Sequence, residues 1–228
     1  MGNDTKKQYL CLDEIPILVH TMMVFDKCDD IHEIILVVPK EDKFYCQKNI
    51  MDPFEFSKNI HMVQGGKKRQ DSVYNGLNRA CRMVESDSQA IVMIHDGVRP
   101  FVDNTIIKEC IHGAIQHGAC IPAVKITDTI KQAGLGEQIK SGAFIQKTIN
   151  RKFLYIAQTP QAFKLDLILK AYDHAKKNSF SGTDDASLME CSGHTVSIVK
   201  GSQLNIKITN PEDLVLGKYL LTLKTSSS

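Results

Sequence analysis

The chain has 228 residues, 43% of them hydrophobic, which suffices to bury a core without disulfide or metal staples and suits one large α/β domain. Its 28 basic and 26 acidic side chains nearly cancel, and it has no arginine-rich run or aromatic-basic interleaving, so nucleic acid is not the expected partner and a small molecule is. No apolar run approaches the ~20 residues of a membrane span, Met1 to Lys7 is no secretory signal, and the seven scattered cysteines lack metal-ligand spacing. The expectation is a cytoplasmic protein with reduced thiols and no membrane contact.

In chain order, Ile34 to Val38 is a short aliphatic run that reads as a buried parallel strand. Gln64 to Ser72 follows, with Gly65 and Gly66 freeing the backbone and Lys67, Lys68 and Arg69 adding charge. It opens a helix that places Val73, Leu77 and Ala80 on one face; a nucleotide loop and an exposed basic turn both fit this segment. Ile91 to Ile94 reads as a second buried strand, and His95-Asp96-Gly97-Val98-Arg99-Pro100 comes directly after it.

That location sets Asp96 at the carboxyl end of a strand, where ligands of parallel sheets bind and a hard carboxylate can hold Mg²⁺ against phosphate oxygens. The plainer reading is a turn in which Asp96 pairs with Arg99. Asp103 or Asn104 caps a helix carrying Ile106, Ile107, Cys110, Ile111 and Ala114 on one face. Cys120 to Val124 reads as a third parallel strand.

Residues 125–149 break the rhythm, with few large apolar side chains and with Gly134, Gly136 and Gly142, and read as a projecting β-arm. Such an arm is poorly stable alone, so pairing with a second copy in a homodimer is expected. Leu165, Ile168, Leu169, Tyr172 and Ala175 mark another amphipathic helix. Thr183-Asp184-Asp185-Ala186-Ser187 reads as a helix start with Thr183 at the cap. Lys207 stands in an apparently alternating strand, Asn205 to Thr209, from which it can point into a cleft or simply into solvent. Asn210, Pro211 and Asp213 are placed as cap, first helical residue and capping-box acid. Residues 1–228 thus read as one α/β domain, a mostly parallel sheet with helices on both faces, ending in a disordered tail over 223–228.

Taken in order, Lys7-Gln8-Tyr9-Leu10, Gly65-Gly66, Arg69 and Ser72, His95 to Pro100, Asp128-Thr129-Ile130-Lys131, Gln158 to Phe163, Thr183 to Ser187 and Asn205 to Thr209 resemble the 2-C-methyl-D-erythritol 4-phosphate cytidylyltransferase family. The likeness spans nearly the whole chain. It implies a Rossmann-like nucleotidyltransferase fold and transfer of CMP from CTP to methylerythritol phosphate, with pyrophosphate released, in non-mevalonate isoprenoid synthesis. Such a displacement needs positioning and charge neutralisation more than a covalent nucleophile.

By resemblance, Lys7, Asp96 and Lys207 would be catalytic, with Asp96 carrying Mg²⁺, and Gly66, Ser72 and Gly97 would line the CTP pocket. Arg99, Thr129, Thr159 and Thr183 would serve the substrate, with Arg151 reaching in from the partner subunit. Two departures stand out. Relatives have a strand and a glycine-rich loop ahead of the position of Met1, so about twenty further residues are expected there on βα-unit spacing. Lys67 stands where relatives often carry an acid. The rival readings are the related ribitol 5-phosphate cytidylyltransferase and a nucleotide-binding module without its catalytic loop.

Overall fold

The computed structural model describes residues 6–84, 89–134 and 144–225. A short turn, Lys7–Tyr9, leads into the two-residue strands β1 (Cys11–Leu12) and β2 (Ile15–Pro16) and helix α1 (Ile17–Asp26). Then come β3 (Glu33–Val38), the one-turn helix α2 (Lys43–Cys46), β4 (Asn59–Gln64), α3 (Arg69–Cys81), β5 (Ile91–Ile94), α4 (Asn104–His117) and β6 (Ala119–Lys125). The second half contains β7 (Ile130–Ala133), β8 (Ile145–Ile149), β9 (Tyr155–Ala157), β10 (Gln161–Lys164), α5 (Leu165–Lys177), α6 (Asp185–Cys191), β11 (Ser197–Lys200) and α7 (Pro211–Thr225).

The three aliphatic runs form β3, β5 and β6, as their β-branched composition requires. The expected mostly parallel sheet needs correcting. The five-stranded sheet has the order β11, β6, β10, β5, with β9 on the far end of β6. Only β11 is parallel to its neighbour; β10 runs antiparallel to both β5 and β6, and β9 antiparallel to β6. β5 and β6 therefore share a direction but are separated by a reversed strand. The chain leaves β6, returns through β9 and arrives in that gap from the opposite end. Gln161-Ala162-Phe163-Lys164 is too short to announce itself by periodicity.

Helices do cover both faces, and β10 shows why. Ala162 packs with Ile106, Ile107, Cys110 and Ala114 of α4, whereas the adjacent Phe163 packs with Leu77 of α3, Ile168 and Tyr172 of α5 and Leu188 of α6. Successive side chains of a strand point to opposite faces, so these two residues place one apolar layer on each side. At Gly113, a Cβ would lie 2.5 Å from the Cys120 sulfur, which lets α4 lie close on β6.

β3 and β4 form a separate parallel pair. One edge of β3 and one edge of β5 are unpaired among the described residues, and both strands line a single open cavity of about 1230 Å³. The other walls come from α1 (Leu18, Thr21, Met22) and α3 (Val73, Leu77).

Within the arm region, β7 and β8 form an antiparallel pair closed by Gly134 N–H donating to the Phe144 carbonyl. Gly136 and Gly142 lie outside the described residues. The helix caps show where local chemistry decides. Asp103 accepts the Ile106 N–H at 2.9 Å, and Asn210 and Asp213 form the reciprocal box, at 2.8 and 3.0 Å. The cap of α6 is Asp184, which accepts the Ser187 N–H at 3.0 Å, and not Thr183, which is exposed one residue earlier. α7 continues through Thr225, so residues 223–225 of the expected tail are helical, and 226–228 lie outside the described residues.

Gly113→Ala should overpack the α4–β6 contact and cost about 1–3 kcal/mol. Urea unfolding of the variant, with an unchanged m-value and a lower midpoint, is the expected reading; an unchanged midpoint would show that the helix shifts without loss.

Candidate functional site

β5 delivers His95 and Asp96 to the end of a half-buried strand, and a set of hydrogen bonds fixes their orientation. The Asp96 N–H donates to the Thr159 hydroxyl at 3.1 Å, and that hydroxyl lies 3.1 Å from His95 Nδ1. His95 Nε2 is 3.0 Å from the Arg99 carbonyl, which can only accept, so Nε2 carries the proton and Nδ1 receives the Thr159 proton. Burial pushes the His95 imidazole down to about 4, so it is neutral at pH 7 and this pattern is complete. Phe25 packs its ring edge-on against the imidazole at 4.8 Å.

The Asp96 carboxylate, 16% exposed, meets two cations. Lys207 Nζ lies 3.0 Å and Arg99 Nε 3.3 Å from Oδ2. Burial opposes the negative charge, but the Lys207 hydrogen bond and the two positive charges outweigh it and hold the carboxyl below its ordinary value. Arg99 is further tied, through Nη1, to the Asn205 carbonyl at 2.8 Å. Lys207 keeps 44% of its side chain exposed. The expected strand around Lys207 is absent: residues 206–209 are irregular, joined to the body by the Ile208 N–H donating to the Val98 carbonyl. With no sheet neighbour there, apparent alternation carried no strand information.

Gly97 is held from α1, whose Thr21 hydroxyl is 3.0 Å from the Gly97 carbonyl, and a Cβ at Gly97 would press on Leu18 at 3.0 Å. On the facing wall, the Gly66 N–H donates to Ser72 Oγ at 3.0 Å, and Ser72 Oγ donates to the Lys68 carbonyl at 3.0 Å. A Cβ at Gly66 would sit 2.3 Å from the Asp71 Cβ, so this close turn admits only glycine. Lys7 is exposed on the first turn, and the next two residues, Gln8 and Tyr9, line the large cavity. Lys6 and Tyr9 anchor that turn on Asp42, at 2.7 and 2.8 Å.

Asp96, Gly97, Ser72, Arg69 and Lys207 therefore face one cavity, with Gln8 and Tyr9 at its edge. Lys7, Gly66 and Arg99 stand next to lining residues without lining the cavity themselves, and the remaining sequence candidates lie elsewhere. Thr159 is buried behind Asp96 and acts on it through the backbone. Thr129 and Arg151 are exposed by the arm, where Arg151 Nη1 donates to the Thr127 carbonyl, and neither is among the cavity-lining residues. Thr183 is exposed ahead of α6.

Sequence reasoning missed several supporting residues. Gln158 bonds the Ser202 carbonyl and N–H at 2.8 and 3.2 Å, and Asn205 donates to the Thr159 carbonyl at 2.9 Å. Asp185, read as a dipole-facing acid with a metal role as the alternative, is fully buried and takes both Arg69 nitrogens at 3.1 and 2.5 Å. Such partners lie too far apart in the chain for spacing to reveal them. Their only local sign was clustered Gln, Thr and Asn in otherwise apolar surroundings.

Among the described residues no three His, Cys, Asp or Glu side chains converge as a metal cage. A single carboxylate at the edge of a cavity nevertheless fits Mg²⁺, which commonly takes one or two protein carboxylates and completes its shell with substrate phosphates and water. No helix among the described residues is long and apolar enough to cross a membrane.

The family model for 2-C-methyl-D-erythritol 4-phosphate cytidylyltransferase matches residues 1–223. A protein of that name from Alkaliphilus oremlandii (strain OhILAs) is 44% identical over 221 residues, 97% of this chain and 89% of the relative. Its namesake from Clostridioides difficile (strain 630) is 42% identical over 224 residues, 98% of this chain and 89% of the relative. Among solved structures, 4-diphosphocytidyl-2C-methyl-D-erythritol synthase from Anaerococcus prevotii DSM 20548 superposes with a TM-score of 0.80 at 31% identity, covering 97% of this chain and 92% of that one. On the family model over residues 1–223 and relatives 44% and 42% identical over nearly the whole chain, the chain belongs to the 2-C-methyl-D-erythritol 4-phosphate cytidylyltransferase family.

Proposed function

We infer that this chain transfers CMP from CTP to 2-C-methyl-D-erythritol 4-phosphate, giving CDP-methylerythritol and pyrophosphate. The carrying observation is the Asp96 carboxylate between Arg99 and Lys207, on the cavity that also takes in Gly97 and Ser72. In the reaction, an oxygen of the sugar-alcohol phosphate bonds to the α-phosphorus of CTP, the bond to the bridging oxygen breaks, and pyrophosphate leaves with that electron pair. Two anions must meet, so cations and oriented dipoles supply most of what the protein can add.

Lys207 is the cation free to turn from Asp96 to the incoming phosphate, because it is half exposed and its ammonium is a compact, swivelling charge. Arg99 stays at the same rim beside it. Lys7 approaches the triphosphate from the first turn, and the Gly66–Ser72 turn offers backbone and hydroxyl groups to the cytidine. Asp96 would hold Mg²⁺, which when bound neutralises phosphate charge. Once Lys207 moves away, Oδ2 of Asp96 loses one competing cation, so phosphate arrival and metal binding favour one another.

The arm supplies the second subunit. Phe144, Ile145, Phe153 and Ile156 are more than half exposed, an apolar patch suited to a second copy, and Arg151 and Thr129 lie beside it to complete the neighbouring site.

Three outcomes are expected. With CTP and Mg²⁺, the protein should release pyrophosphate with methylerythritol phosphate and far less with ribitol 5-phosphate. The reverse preference would move the chain to the ribitol reading. Asp96→Asn should lower kcat by about 10²–10³ with the fold intact, and Lys207→Ala should mainly raise KM for the alcohol phosphate; normal kinetics in either variant would remove that residue from the site. Light scattering should give the mass of two chains, and Phe153→Asp with Ile156→Asp should give one.

A pH effect also follows. The folded His95 titrates near 4 and an unfolded His near 6.5, so its contribution is complete above 6.5 and lost as pH falls towards 4. The loss amounts to at most about 3 kcal/mol. Calorimetry of the protein and of His95→Asn across that window should show the steeper decline in the parent; parallel curves would contradict a neutral, buried imidazole.

A further inference from the structure

The Gly65 to Ser72 turn is closed on itself by short bonds: Gly66 to Ser72, Ser72 to Lys68, and the Lys68 N–H to Asp71 at 3.1 Å. Nothing in that set tells the turn where to lie against the rest of the molecule. The Gly65 N–H ties the start of the turn to the end of β3, at 2.8 Å from the Val38 carbonyl, and the tie to the opposite side of the molecule falls to the central residue. Arg69, the first residue of α3, extends both terminal nitrogens to the two oxygens of Asp185, at 3.1 and 2.5 Å, across 116 positions of sequence. Asp185 is fully buried and also accepts the Tyr172 hydroxyl at 2.5 Å.

Asp185 is itself immobilised. Gln161 of β10 accepts the N–H groups of Asp185 and Ala186 at 3.1 and 3.0 Å and donates to Asp184 at 2.8 Å. Two residues before Gln161 stands Thr159, which holds Asp96. One short segment, Thr159 to Gln161, thus ties Asp96 directly and the start of α3 through Gln161, Asp185 and Arg69. Arg69 reaches this partner while lining the same cavity as Asp96 and Lys207.

We propose that Arg69 is a positioning residue for CTP: its two-pronged bond to the buried Asp185 sets the Gly66–Ser72 turn at the distance from Asp96 that the nucleotide requires. This rests on the reading of that turn as the cytidine-binding loop. A guanidinium is suited to the task because both prongs fix direction as well as distance, which a lysine cannot do.

The test is steady-state kinetics on the full-length enzyme with each substrate varied in turn. Arg69→Ala, a half-exposed position, should raise KM for CTP roughly tenfold, while kcat and KM for the alcohol phosphate stay within about twofold. Methylguanidinium in solution should recover part of the loss in Arg69→Ala and none in Ser72→Ala, and Arg69→Lys should recover less than half. An unchanged KM for CTP in Arg69→Ala would overturn the proposal. So would a parallel loss in all three constants together with a lower melting temperature, since that marks mere structural support. Ser72→Ala separates the underlying reading: if its KM for CTP is normal, the turn is not the nucleotide loop, whereas a shifted KM there with a normal one in Arg69→Ala overturns only the role of Arg69.

Discussion

A carboxylate at the end of a half-buried strand must keep its charge where burial works against it, and much of this molecule is arranged around that constraint. Asp96 stays ionised because Arg99 and Lys207 reach the same oxygen. Neither cation is placed by β5 itself. Arg99 is steadied by the carbonyl of Asn205, and Lys207 arrives on the irregular segment that follows. The charge on Asp96 therefore couples two parts of the chain more than a hundred residues apart. Removing either cation would leave a carboxylate short of partners, which is the costly direction for a buried ion pair.

The segment Gln158 to Gln161 explains how that coupling is kept. Its three polar side chains go three ways: Gln158 to the 201–205 segment, Thr159 to Asp96 and His95, and Gln161 to the start of α6. All three are buried, so each bond replaces water that cannot enter, and an unmade one would leave a group unsatisfied. A reversed strand in the middle of the sheet thereby acts as the tie between loops that carry the chemistry.

Much of this was legible in the sequence, and the boundary is physical. β3, β5 and β6 were visible as short runs rich in β-branched aliphatic residues, and α4 and α7 because caps act over three residues. Asp96 was visible because it directly follows such a strand. What lay hidden was non-local. The direction of β10 depends on the path of the arm, and Thr183 lost the cap to Asp184 by one residue, a difference of backbone angle that no residue type announces. Asp185 read as an acid facing the helix dipole until Arg69 was brought to it from 116 positions away. Lys207 was expected on a strand, but the alternation around it belonged to no sheet.

The cations of the cavity also differ in how far they are committed. Arg69 has both terminal nitrogens on Asp185, and Arg99 has Nε on Asp96 and Nη1 on the Asn205 carbonyl. Guanidinium groups with fixed planar partners hold their direction, so these two shape the walls. Among the described residues Lys207 makes one ion pair, to the Asp96 carboxylate, and has nearly half its side chain in solvent. An ammonium on a flexible stem exchanges one anion for another at little cost, provided the new one is at least as negative. A phosphate dianion meets that condition against a single carboxylate. The same contact that keeps Asp96 charged at rest thus leaves Lys207 as the group that can move when substrate arrives, while the arginines keep the geometry into which it moves.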